Sequence, residues 1–172
     1  EDFINLSQWE TQIGDWILDG HTLNTQSELF YDNNADWEII STNGIGAEIG
    51  DSLIIEILLR YELEWEKDFF SMMYVTENDT VELLHLTGDQ YQFHTEYIPL
   101  KIDEGPPNGR ILFNVHTDHN LNYRGIEIDK LVIYKSGRYT SINLANSIHM
   151  LPGNYTLEQN YPNPFNPSTS IN

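Results

Sequence analysis

Leu53-Ile54-Ile55-Glu56-Ile57-Leu58-Leu59-Arg60-Tyr61-Glu62-Leu63-Glu64-Trp65 is the stretch that decides the fold class. Leu53, Ile55, Ile57, Leu59, Tyr61, Leu63 and Trp65 recur at every second position. Glu56, Arg60, Glu62 and Glu64 take the alternate positions, with Ile54 and Leu58 as apolar exceptions. Period 2 over this length is the pattern of a β-strand with one face buried. On this reading Trp65 ends the buried face. Residues 110–117 repeat the pattern, with Ile111, Phe113 and Val115 inward and Arg110, Asn114 and His116 outward.

Working outward, further strands are expected at 2–9, 14–19, 23–31, 37–42, 68–76, 80–86, 91–98 and 125–134. Turn signals separate them: Asp19-Gly20, Asp32-Asn33-Asn34, Asn43-Gly44, Glu77-Asn78-Asp79, Gly88-Asp89, the run Gly105-Pro106-Pro107-Asn108-Gly109, and Asn120-Leu121-Asn122. Many short strands at this spacing predict an all-β, antiparallel two-sheet sandwich. In the last strand, Ile126 and Ile128 share one parity, and Leu131 and Ile133 share the other. The switch at Asp129-Lys130 predicts a β-bulge. Only 138–151, with Ile142, Ala145 and Ile148 three apart, permits a short helix.

The chain has 172 residues, 27 acidic against 8 basic, for a net charge of −19, and no cysteine. That charge repels phosphate, so nucleic acid and anionic lipid are poor partners. Without cysteine there is no disulfide framework, thiolate zinc site or cysteine nucleophile. No apolar run approaches the ~20 residues of a membrane span. Residues 1–59 hold 12 of the acids and neither Lys nor Arg. Such a surface is either a solubility device or a source of oxygen ligands for a hard cation such as Ca²⁺. The start, Glu1-Asp2-Phe3-Ile4, has no Met and no signal-peptide pattern, so the chain reads as an internal piece of a longer protein.

Beyond residue 136 charge thins out, and four of the seven prolines follow residue 151. The expected organisation is a sandwich at 1–136, a linker at 137–154 and an irregular Pro-rich tail at 155–172. Its prolines forbid a central strand. The run Leu157-x-Gln159-Asn160-Tyr161-Pro162-Asn163-Pro164-Phe165-Asn166-Pro167-x-Thr169-x-Ile171 resembles the opening of the type A C-terminal sorting domain of the type IX secretion system. The resemblance implies export by a Bacteroidetes-type bacterium to the cell surface or medium. It makes the type IX machinery a partner through the complete sorting domain. Only the first segment of that domain is present here.

The body has its own resemblance. Trp9 and Gly14-Asp15-Trp16, then Tyr61-Glu62-Leu63-Glu64, Asp68-Phe69-Phe70-Ser71 and Gly88 occur in order. Ile111-Leu112-Phe113-Asn114-Val115-His116-Thr117-Asp118, Arg124-Gly125-Ile126-Glu127-Ile128-Asp129 and Leu131-Val132-Ile133 follow. The order, over about residues 7–135, resembles the MAM-like jelly-roll modules of secreted bacterial peptidases and adhesins, including the cleaved-adhesin type. It implies a jelly roll, often non-catalytic, with a structural Ca²⁺. By that resemblance Asp129 and the first-strand acids Glu10 and Asp15 meet at one edge, with Asp118 and Asp32 as additional ligands. The alternative for Asp129 is a loop cap or an ion pair, and no continuous calcium loop is present.

Other constellations are weaker. His116-x-x-His119 looks metal-like, but an i, i+3 pair in a strand points to opposite faces. Glu62, Glu64 and Glu66 along one strand read as a solvated face rather than a pair across a cleft. There is no Gly-x-Ser-x-Gly motif. Four Trp and ten Tyr are enough for a sugar platform, although a sandwich needs most of them as core. Tyr123, in a loop, and Trp37 are the candidate binders, and Tyr91 and Tyr97 share a parity. The expected protein is a non-catalytic accessory or adhesion module of a larger peptidase or adhesin, working beside its neighbouring domains or on a glycan or surface protein. Alternatives are a carbohydrate-binding module or a spacer presenting the sorting domain.

Overall fold

A computed structural model describes residues 8–19, 21–25, 30–103 and 108–135. Among the described residues there are ten strands: β1 (Trp9–Ile13), β2 (Ile17–Asp19), β3 (Thr22–Asn24), β4 (Asp36–Ser41), β5 (Ser52–Glu62), β6 (Phe69–Val75), β7 (Thr80–Leu86), β8 (Asp89–Lys101), β9 (Arg110–His116) and β10 (Gly125–Lys135). They form a back sheet, ordered β1-β4-β9-β6-β7, and a front sheet, ordered β2-β3-β10-β5-β8. Every pairing is antiparallel. The protein is an all-β jelly-roll sandwich. No helix among the described residues is long and apolar enough to cross a membrane. The linker, the expected short helix and the Pro-rich tail with its sorting motif lie outside the described residues.

The period-2 residues make the core. Leu53, Ile55, Ile57 and Leu59 of β5 are buried, as are Ile126 and Ile128 of β10 and Ile98 and Leu100 of β8. From the back sheet Trp37, Ile39, Phe70, Met72, Tyr74, Ile111, Phe113 and Val115 face them. Phe113 is the centre of an aromatic cluster. Trp9 stacks on it at 4.8 Å, and Phe70 and Trp16 lie tilted at 5.5 and 6.4 Å.

The bulge in the last strand falls where parity placed it. Ile128 pairs with Leu59 and Lys130 with Leu58, so Asp129 is the extra residue. That insertion keeps Ile126, Ile128, Leu131 and Ile133 opposite Tyr61, Leu59, Ile57 and Ile55, all on the inner face. A second irregularity shapes the front sheet. Leu59 pairs with His94 and Tyr61 with Gln90, so Tyr91, Gln92 and Phe93 stand against Arg60 alone.

The end of β5 departs from its pattern. Alternation runs to Trp65, but the strand stops at Glu62. The Leu63 amide donates to the Gly88 carbonyl at 2.8 Å, and Lys67 and Asp68 amides turn back to the Glu64 carbonyl at 3.2 and 3.1 Å. Trp65 is therefore not buried: 68% of its surface is exposed. Glu62, Glu64 and Glu66 do not share one strand face, because Glu64 and Glu66 lie in this turn.

Candidate functional site

The outer face of the front sheet carries two kinds of group. The first is a cross-strand ladder of charge. Arg60 donates from Nη2 to Glu127 Oε2 at 2.6 Å, and Lys130 Nζ to Glu56 Oε1 at 2.8 Å. The second is a file of aromatic rings along the edge strand β8. Tyr97 pairs with Glu56 and so shares its face. Phe93 lies beneath the Arg60 guanidinium, 4.8 Å from ring centroid to Cζ. Tyr91 lines a shallow groove with Arg60, Glu62, Arg124 and Glu127. Tyr91 and Tyr97 are 64% and 61% exposed, and Phe93 is exposed beside them. Tyr134 on β10 adds a fourth exposed ring on this face, opposite Ile54. Asp89 and, less strongly, Glu62 hold the Tyr91 hydroxyl above the usual phenol range.

The arrangement follows from the edge position of β8. With no strand beyond it among the described residues, its outward rings have a neighbour on one side only. The three-residue bulge opposite Arg60 brings Tyr91 and Phe93 together there. From Tyr91 to Tyr97 a strand covers roughly 15–20 Å at ~3.3 Å per residue. Exposed rings in such a file offer flat apolar surfaces with a polar edge. The ladder beside them supplies hydrogen-bond donors and acceptors of both signs.

A second feature lies at the end of the sandwich where β5 stops. Carboxylate oxygens of Glu64, Asp68 and Asp118 come within 4.8 Å of one another, so the group can hold a metal ion. Asp68 is wholly buried. Its Oδ2 accepts from the buried Tyr31 hydroxyl and its Oδ1 from the Asp118 amide at 2.7 Å. Asp118 in turn accepts from the amide and the side chain of Asn120 at 2.7 and 3.0 Å. Glu64 Oε2 accepts from the Leu121 amide at 3.2 Å. Burial first, then the bond to Asp68 and its negative charge, push the Tyr31 phenol far above its usual value.

Of the five acids named from the sequence for a cation, this group contains Asp118 alone. Asp129 sits at the bulge of β10, half-buried. Glu10 is exposed on β1, which belongs to the other sheet. Asp15 and Asp32 are exposed in loops, and the Asp32 carbonyl accepts from Thr117 Oγ1 at 2.7 Å. Glu64 and Asp68, which complete the group, were not among the five. Asp68 was visible only within the resemblance.

The aromatic candidates also move. Trp37 is not a surface binder. It is 9% exposed, in the core on β4, beneath Gly14, where an added Cβ would stand 2.2 Å from its ring. Tyr123 is half-buried against the core, and its carbonyl accepts from the Tyr31 amide at 2.9 Å. His116 is exposed at the end of β9, stacked on Phe69 at 5.4 Å, with Asp36 at 3.9 Å. Together with the bonds the His119 and Asn120 carbonyls take from Asn33, this makes a loop contact rather than a metal pair.

One trio resembles a hydrolytic relay. On the back sheet Ser71 Oγ donates to Glu82 Oε1 at 2.7 Å and lies 3.1 Å from His85 Nδ1. Glu82 is 3.0 Å from the same Nδ1. A relay needs base and orienting acid on different ring nitrogens. Here both partners address one, so the imidazole does not bridge them. The Ser71 hydrogen bond, then that of His85, hold the Glu82 carboxyl below its usual range.

No family model matches this chain, and no curated protein matches its sequence. Solved structures do. A family 29 carbohydrate binding module matches at TM-score 0.45 and 16% identity, over 76% of this chain and 80% of its own. A CBM29-2 mutant complexed with cellulohexaose matches at TM-score 0.47 and 16% identity, over 76% and 82%. The enzymatically active domain of tailspike protein 4 of bacteriophage CBA120 matches at TM-score 0.52 and 15% identity. It is covered over 78% of this chain but only 20% of that one. At this identity the tailspike likeness extends to the fold, which is that of a jelly-roll β-sandwich.

Proposed function

We propose that this chain is a non-catalytic carbohydrate-binding module of a larger exported bacterial protein, followed by the start of a type IX sorting signal. The observation that carries the reading is the file of exposed rings Tyr91, Phe93 and Tyr97 on the outer face of the front sheet, beside the Arg60–Glu127 and Lys130–Glu56 pairs. The C–H faces of pyranose rings stack on aromatic faces, and sugar hydroxyls exchange hydrogen bonds with charged side chains. The length of the file suits several consecutive sugars rather than one. Net charge of −19 opposes anionic glycans, so neutral chains are the expected ligands. Accessory work beside a peptidase or adhesin domain remains compatible with this reading, because binding of the surrounding glycan would hold that domain at its target.

The test is a glycan array followed by calorimetry on neutral plant and bacterial polysaccharides. Tyr97→Ala is expected to weaken binding about tenfold or more, the equivalent of about 1.4 kcal/mol, and Tyr91→Ala similarly. Both residues are exposed, so the melting temperature should hold. An array with no hits, or hits unchanged in both variants, rules the sheet face out as a binding site.

A second reading has its own observation. Asp68 is fully buried, its partners are the Tyr31 hydroxyl and the Asp118 amide, and it stands beside Glu64 and Asp118 with no basic side chain paired to it among the described residues. We propose a structural Ca²⁺ here, joining the β5–β6 and β9–β10 loops. Binding to the native state alone adds about 2.7 kcal/mol when the ion is at 100 times its Kd. Millimolar Ca²⁺ should then raise the melting temperature by several degrees, and a chelator reverse it. Asp118→Asn should abolish the response. A melting temperature indifferent to both reagents removes this reading and leaves the glycan reading intact.

A further inference from the structure

Trp65 is an unusual surface residue. The other three tryptophans are committed to packing: Trp16 and Trp37 are buried, and Trp9 stacks on Phe113. Trp65, in the β5–β6 turn, leaves 68% of its surface in water. It is nonetheless held in place. The turn is tied by the Lys67 and Asp68 amides to the Glu64 carbonyl, by the Glu66 amide to Thr87 Oγ1 at 2.9 Å, and by that hydroxyl to the Glu64 carbonyl at 3.1 Å. Glu66 adopts φ 58°, a left-handed conformation that is strained for a non-glycine residue. Strain of this kind persists where surrounding bonds impose it.

The ring is also seated. Gly88, at φ 81°, lies beneath its benzo edge, and a Cβ there would stand 2.6 Å from Trp65 Cε3 and 3.0 Å from Cζ3. Glycine at this position leaves room for an indole lying on the backbone. One side of the ring is thus supported and its remaining surface faces solvent. Leaving a large apolar ring in water forgoes the free energy of its burial. The turn is built to present it.

We propose that Trp65 is a second sugar-stacking platform, at the loop end of the sandwich and distinct from the β8 file. It takes the C–H face of a neutral or amino pyranose. The inference rests on the carbohydrate reading of the module. The chemistry of the surroundings sets the ligand class. Glu64 and Glu66 flank the ring in sequence. Carboxylates accept hydrogen bonds from hydroxyl or ammonium groups and repel uronic and sialic acids.

Because Trp65 is the one strongly exposed tryptophan, its fluorescence reports its own site. The full chain is titrated with cello-, manno- and chito-hexaose and with glucosamine hexamer, reading emission, iodide quenching and calorimetric stoichiometry. The expected result is a saturable blue shift with loss of iodide quenching, and two sites per chain. Trp65→Ala should lose the emission response and one site, with an unchanged melting temperature. Tyr97→Ala should keep the response and lose the other site. Binding lost in Tyr97→Ala with a silent Trp65 overturns this inference alone. A Trp65→Ala protein that retains both sites also overturns it. No binding by any of the four sugars overturns it together with the reading on which it rests.

Discussion

Phe113→Ala is expected to destabilise the domain by about 4 kcal/mol, within the 3–5 kcal/mol typical of truncating a buried phenylalanine. Phe113 is fully buried and stacks with Trp9 on one side, with Phe70 and Trp16 on others. It is also paired with Ile39 on β4 and Met72 on β6, so the cavity would open at the middle of the back sheet. Large neighbouring rings cannot collapse into the void without leaving their own contacts, which puts the cost toward the upper part of the range. For a domain of this size 1 kcal/mol moves Tm by about 2–4 °C. A fall of roughly 10–15 °C in thermal unfolding by circular dichroism is therefore expected. Phe113→Leu, which keeps most of the volume, should cost less than half as much. A loss below 2 kcal/mol for the alanine variant would show that the aromatic cluster is not the centre of the core.

The prominence of Phe113 was readable from its parity in 110–117, and so was most of the sandwich. Period 2 works because each strand buries one face, and a shift of one residue would expose the whole set. The bulge at Asp129 was legible for the same reason: a change of parity between Ile128 and Leu131 has no other explanation within one strand. Trp37, a binder on the sequence pattern, has the parity of Ile39 and lies in the core beside it. Parity failed at Trp65. The alternation of β5 continues through Leu63 and Trp65, but the chain leaves the sheet at Glu62, because the Gly88 carbonyl captures the Leu63 amide and Glu66 turns left-handed. Nothing local in the sequence announces a partner at Gly88.

The candidate sites were less legible because they are made by pairing between distant strands. Tyr91 and Tyr97 share a parity, but parity does not say which face is outward on an edge strand. The register of Tyr97 against Glu56 settles it, and the bulge against Arg60 brings Phe93 under the guanidinium. The acidic group is a sharper case. Glu64 and Asp68 are four residues apart in a turn, whereas Asp118 arrives from the β9–β10 loop and Tyr31 from the β3–β4 connection. Asp129 and Glu10, which the jelly-roll resemblance would bring to one edge, lie in different sheets. A carboxylate as buried as Asp68 is rare, yet its sequence neighbourhood, between Lys67 and Phe69, gives no sign of it.

That buried carboxylate carries the second large effect. Asp68→Ala removes the acceptor for the Tyr31 hydroxyl and for the Asp118 amide at once. A buried donor left without a partner costs about 1–3 kcal/mol, and bonds to a charged group are worth about 1.5–3 kcal/mol. A loss of about 3 kcal/mol in urea unfolding is expected, with Asp68→Asn, which keeps one acceptor, at about half. The same pair predicts an alkaline limit. The native Tyr31 phenol is raised far above its usual value by burial first and by Asp68 second, while in the unfolded chain it ionises near 10. A group whose pKa is raised on folding gives its full stabilisation below the unfolded value and loses it as pH climbs toward the native one. Between about pH 10 and 12 the unfolded state sheds a proton that the native state keeps. Tyr31 alone should then lower stability by up to about 1.4 kcal/mol per pH unit. Tyr61 and Tyr91 are raised too, so the informative quantity is the difference between the native protein and Tyr31→Phe. The phenylalanine variant should start less stable at neutral pH, because Asp68 Oδ2 loses its donor, and then fall less steeply above pH 10, so that the two curves converge. Parallel curves through that window would mean that Tyr31 is not protonated against Asp68 in the folded state.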